Sequence, residues 1–140
     1  MPTQLLRRWF NMMKSARGEM DVAQSLPLTT YTSTAIGVGV SKVGFYGVLA
    51  VASMGTVTDG THTFKLQDSD DNVTFTDVAN KYLQGSFINV DNTKSNSIQR
   101  VAYLGLKKYV RVATTVTGAT TGGIYEAFIV RSFPGNKPVP

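Results

Sequence analysis

Apolar and polar residues alternate along most of this chain, and only its opening segment repeats at helical spacing. In residues 61–67, His62, Phe64 and Leu66 alternate with Thr61, Thr63, Lys65 and Gln67, and in residues 109–115, Val110, Val112 and Thr114 alternate with Tyr109, Arg111 and Ala113. A period of two sends the two sets to opposite faces of a strand, so each sheet is expected to have a wet and a dry side. Runs rich in Thr, Val, Tyr, Ile and Phe predict further strands near residues 28–40, 45–53, 73–78, 97–104 and 123–131. Asp59-Gly60, the polar cluster from Asp68 to Asn72, Asp91-Asn92, and Gly118 with Gly122-Gly123 separate these runs as turns. Short strands with turns at such spacing predict an all-β fold, an antiparallel β-sandwich or jelly roll.

The two ends differ from this body. In residues 4–14, Leu5, Trp9 and Met12 or Met13, with Leu6 and Phe10 beside them, recur every three or four positions, which predicts a short amphipathic helix. Ala16, Arg17 and Gly18 end the pattern, and Pro27 stops a helix from running on. Three of the five prolines fall after Phe133, which predicts an extended tail. The expected organisation is an N-terminal arm at residues 1–24, a sandwich at 25–132 and a tail at 133–140.

A chain of 140 residues fits one domain, and its 42% hydrophobic content suffices for a core. The absence of cysteine removes disulfides, thiol nucleophiles and cysteine-based metal sites, and a single histidine leaves little for a transition metal. Fourteen Lys and Arg against nine Asp and Glu give a net charge of +5, unevenly spread: Arg7, Arg8, Lys14 and Arg17 face only Glu19 near the start, whereas Asp59, Asp68, Asp70, Asp71 and Asp77 face only Lys65. A basic arm and an acidic loop region follow. No apolar run approaches the roughly 20 residues of a membrane span, so neither a signal peptide nor a membrane segment is expected.

Patterns that could bear chemistry are weak. Gly37 to Gly44 lacks the glycine and Gly-Lys-Ser/Thr spacings of nucleotide loops and instead predicts a twisted strand or bulge. Asp68, Asp70 and Asn72 begin with calcium-loop spacing, but Val73 and Ala79 stand where that loop needs Gly and Glu, so a self-capping turn is expected. His62 with Asp59 and Ser53 or Thr61 lacks the surroundings of a nucleophile. Tyr103, Tyr109, Tyr125 and Phe128 interleave with Arg and Lys as in single-strand binders, yet also as in ordinary two-sided sheets. The expectation is no enzyme, no cofactor, no metal, no nucleic-acid partner and no membrane.

The arm is the most informative feature. Its apolar stripe must pack on its own sandwich, on a partner or on a membrane surface. Trp, Met and Arg are enriched at interface cores, which makes Leu5, Leu6, Arg7, Arg8, Trp9, Phe10, Met13, Lys14 and Arg17 the candidate docking residues.

The body resembles a family of small tailed-bacteriophage proteins, the capsid decoration or cement proteins encoded beside the major capsid protein. The matching strings are Gly44 to Val51, Asp59 to Asp71, Val73 to Ala79 and Val101 to Val112; the most telling is the Ser69-Asp70-Asp71 turn followed by Thr74-Phe75-Thr76-Asp77-Val78, with Lys107-Lys108-Tyr109-Val110-Arg111-Val112 downstream. The resemblance implies a non-enzymatic β-domain that is made in the host cytoplasm and joins the virion on the outer capsid surface. Its implied partners are the major capsid protein and copies of itself, with a trimer preferred to a dimer. It brings no catalytic residues. The alternative is a tail or receptor- or carbohydrate-binding β-module, since similar strings occur in other virion β-domains.

Overall fold

A computed structural model describes residues 16–135 of the chain. A short helix, α1 (Ala16–Glu19), leads into ten strands: β1 (Met20–Tyr31), β2 (Ala35–Ile36), β3 (Val40–Ser41), β4 (Phe45–Val57), β5 (Thr61–Ser69), β6 (Thr76–Asp77), β7 (Leu83–Gln84), β8 (Ile98–Tyr103), β9 (Tyr109–Thr117) and β10 (Gly123–Pro134). One sheet has the order β1-β10-β4-β8-β7 and the other β2-β9-β5-β6, with β3 also on β9. Every pairing is antiparallel. The pairs nest: β1 with β10, β2 and β3 with β9, β4 with β8, β5 with β6. Nested pairs distributed over two packed sheets make a jelly roll.

The expected alternation holds in β5, where His62, Phe64 and Leu66 are buried between the sheets. Alanines at 50, 52 and 127 keep the first sheet's inner face shallow and leave room for Tyr125. That ring stacks on Tyr31 at 4.5 Å and meets Phe64 edge-on at 4.9 Å. Its hydroxyl lies 2.9 Å from His62 Nδ1 and 3.0 Å from Thr114 Oγ1, while His62 Nε2 lies 3.0 Å from the Asp59 carbonyl. A carbonyl can only accept, so Nε2 bears the proton; in the neutral ring Nδ1 then accepts from Tyr125, and Tyr125 from Thr114. The central polar groups thus satisfy one another in series.

At the irregularity in the middle of β1, between Gln24 and Leu26, Ser25 holds three segments. Its hydroxyl donates to the Val38 carbonyl at 2.9 Å and accepts the Val112 N–H at 3.0 Å, and Val38 N–H returns a bond to the Ser25 carbonyl at 2.8 Å. A side chain at Gly37 would collide with Ser25 and the Val112 carbonyl, which accounts for one glycine of the expected bulge.

Several boundaries differ from those predicted. The single strand expected at 28–40 is three pieces, because the chain leaves the first sheet after Tyr31 and joins β9 twice, at Ala35–Ile36 and Val40–Ser41. β1 starts at Met20, inside the segment assigned to the arm, and β10 runs to Pro134, inside the segment assigned to the tail. Of the strand expected at 73–78 only Thr76–Asp77 pairs. Helix occurs at Ala16–Glu19, where the helical pattern was expected to end; residues 4–14 lie outside the described residues.

Tyr125→Phe should leave His62 Nδ1 and the Thr114 hydroxyl buried without their shared partner and cost about 1–3 kcal/mol, as unmade buried hydrogen bonds do. Urea unfolding of the variant beside the parent checks it.

Candidate docking surface

All the long strands of the jelly roll open or close at one end of the sandwich. β1 and α1 begin there, β10 and β8 finish there, and the connections 42–45, 70–75 and 104–108 turn there. Both terminal segments therefore depart from one side of the molecule. Their strands are clamped together. Arg131 of β10 forms an ion pair with Asp21 of β1, donates from Nη1 to the Ser41 carbonyl at 2.8 Å and lays its guanidinium 4.8 Å from the Phe45 ring centroid. Burial lowers the pKa of Arg131 from the ordinary guanidinium value. Gly135 N–H closes the corner on the Gly44 carbonyl at 2.8 Å.

This end displays apolar tips. Leu106 is 92% exposed, Tyr46 84% and Phe133 66%, and Val43 and Leu104 are exposed beside them. Phe133 holds φ +52, a region a bulky residue rarely occupies, and its ring lies over Gly47.

The loop bearing Leu106 is braced from below. Buried Asp68 accepts the Tyr103 hydroxyl at 2.8 Å and pairs with Lys107 Nζ at 3.4 Å, while the Lys107 N–H donates to the Tyr103 oxygen at 3.2 Å. Burial, with the Asp68 carboxylate second, raises the Tyr103 pKa well above the ordinary phenol value. A cavity of about 230 Å³ lies beneath, lined by Asp68, Tyr82, Gly105, Leu106 and Lys107. An apolar tip on a braced loop suits docking, because less loop entropy remains to be lost on contact.

The other sequence candidates fall elsewhere. Of the nine arm residues only Arg17 is described; it is exposed on α1, and the remaining eight lie outside the described residues. Asp68 points into the core, and Asp71 accepts the Val73 and Thr74 N–H groups at 2.9 and 2.8 Å, so the calcium-like spacing builds a self-capping turn. The Asp59 carboxylate takes the N–H groups of Thr120, Thr121 and Gly122, and His62 is held between the Asp59 carbonyl and the Tyr125 hydroxyl, so no triad geometry forms. Tyr103 and Tyr125 are buried and offer no stacking platform. Sequence reasoning missed the exposed set of Tyr46, Leu104 and Leu106, placing the first two in strands and leaving the third unassigned; the glycines at 44, 47 and 105 around them were the available signal.

No protein-family model matches the chain. No curated protein matches it either. Among solved structures, the crystal structure of the SPBc2 prophage-derived protein YomS is similar over 81% of this chain and 95% of that one, at 20% identity and a TM-score of 0.46. Similarity of that degree assigns no function.

The turn that caps the acidic loop should make its own mark on acid stability. Hydrogen bonds from the Thr74 and Val73 N–H groups lower the Asp71 pKa to about 2. A carboxylate depressed in the folded state contributes stability that is complete above its unfolded value near 4 and disappears as pH falls through the folded value. The parent should therefore lose melting temperature between about pH 4 and pH 2 more steeply than Asp71→Asn, as followed by thermal unfolding.

Proposed function

We propose that this chain is a virion structural protein, a cement or decoration protein that binds the outer surface of an icosahedral phage head and bridges capsid subunits. The observation carrying this reading is the set of exposed apolar tips, Tyr46, Leu106 and Phe133, at the end from which both terminal segments leave. Exposed large apolar side chains on a braced frame are what an interface core requires. The string resemblance described above supports the phage assignment, and jelly rolls recur among viral capsid domains, though a fold alone hosts many functions.

In this reading the tips enter a joint between capsid subunits, where truncating an anchor at an interface centre costs about 2 kcal/mol or more. The basic positions Arg7, Arg8, Lys14 and Arg17 meet acidic rim residues of the major capsid protein and raise the association rate and its salt sensitivity. Copies around a symmetry axis multiply weak contacts through avidity, and a trimer is the assembly proposed on such an axis.

Phage heads lacking the protein provide the test, by cosedimentation with the parent and with Leu106→Asp and Tyr46→Ala. Each variant should keep the β-dominated circular dichroism of the parent and bind heads at least about 30-fold more weakly, the equivalent of about 2 kcal/mol. Parent-like binding by both variants would overturn this docking surface, and absence of binding by the parent would overturn the head assignment.

A further inference from the structure

The second sheet is incomplete along one edge. Peptide groups of alternate residues in an antiparallel strand point to opposite neighbours, so those of Thr63 and Lys65 in β5 face β9, and those of His62, Phe64 and Leu66 face the outer edge. His62 exchanges two bonds of 2.8 Å with Val90, and Leu66 accepts the Val78 N–H at 3.0 Å. Between these rungs the chain swings away to pair with β8 through Leu83 and Gln84. The N–H and C=O of Phe64, a residue only 3% exposed, therefore have no hydrogen-bond partner among the described residues. Such an open pair is rare in a folded chain. Where Ile88 presents a similar pair, the chain closes it: the Gln99 carboxamide accepts the Ile88 N–H at 2.9 Å and donates to its carbonyl at 3.0 Å.

The edge of Phe64 gives onto a cleft of about 230 Å³. Its apolar lining is Phe64, Leu66, Val78, Leu83 and Phe87, which offers water few partners. Its polar lining is Lys65, Asp77, Asn80 and Ser86. Lys65 and Asp77 neutralise each other at 3.2 Å, which disfavours a charged ligand. The exposed side chains of Asn80 and Ser86 have no hydrogen-bond partner among the described residues. Donors and acceptors thus stand together around an apolar floor, and a ligand that matches them must carry several groups able both to donate and to accept, on a ring with an apolar face. Hydroxyls have that property. Two neighbouring hydroxyls can also close the Phe64 pair, one oxygen taking the N–H and the other O–H reaching the carbonyl. A lone carboxamide would close that pair but leave the rest of the cleft unused.

We infer that this cleft is a binding site for one neutral sugar ring, a hexopyranose whose adjacent hydroxyls pair with the Phe64 backbone, whose other hydroxyls meet Asp77, Asn80 and Ser86, and whose C–H face packs on Phe87 and Leu83. The site does not depend on the head-binding reading and stands or falls separately from it.

Amide spectra of the ¹⁵N-labelled full-length protein, titrated with the methyl glycosides of glucose, galactose, mannose and N-acetylglucosamine, test it. At least one glycoside should give saturable shifts, at the millimolar affinity of a ligand this small, centred on Phe64 and on residues 78–87. Free hexoses run beside the glycosides separate a free sugar from the end of a glycan, whose next unit the methyl group replaces. Asn80→Ala should weaken binding about threefold or more, and Ser86→Trp, at an exposed position, should fill the cleft and abolish it. The absence of saturable shifts with every sugar, shifts centred elsewhere, binding that survives Ser86→Trp, or saturable binding of propionamide in place of the sugars would overturn the site.

Discussion

The pairing of β1 with β10 is the constraint on which the rest of the molecule depends. These strands stand at the two ends of the described chain, and their ladder from Met20–Ser132 to Tyr31–Gly123 is the outermost of the nested pairs. Every other pair lies within the stretch of chain that it closes. Ser25 belongs to the same device. It stands where β1 departs from simple register, between Gln24 and Leu26, and ties that irregularity to β9 and to the segment at Val38. Loop-closure entropy makes such long-range pairing slow to form, and many simultaneous contacts are needed to repay it.

The polarity of the molecule follows from that closure. Because the first and last strands are antiparallel neighbours, both terminal segments emerge at one end, and the Asp21–Arg131 ion pair with Phe45 stacked on it fixes the corner from which they leave. The same end receives the loop braced by Asp68, Tyr103 and Lys107. The opposite end is organised differently: there the Asp59 carboxylate satisfies backbone N–H groups at Thr120, Thr121 and Gly122 and leaves a polar turn. The molecule is therefore polarised, with apolar tips and extensions at one end and capped polar turns at the other.

What could be read from sequence depended on whether a residue's partner was local. The two faces of β5 were legible because Phe64 and Leu66 set a period of two that carries His62 inward with them. The start of β1 was not, since Asp21 turns inward to meet Arg131, 110 positions away, while Met20 and Val22 turn outward. The alternation there is inverted and reads as an arm. Val73 looked like a strand residue by type, but Asp71 holds its N–H in a turn. The end of β10 was hidden by Pro134, which sits at the strand's last position, where a missing N–H costs little.

The central claim is that the end bearing the termini is the surface that meets a partner. Hydrogen–deuterium exchange on the free protein and on the protein bound to phage heads measures this residue by residue. The account predicts new protection at 42–46, 104–108 and 132–135, with the turns at 58–60 and 118–122 unchanged. Protection confined to those polar turns would contradict it.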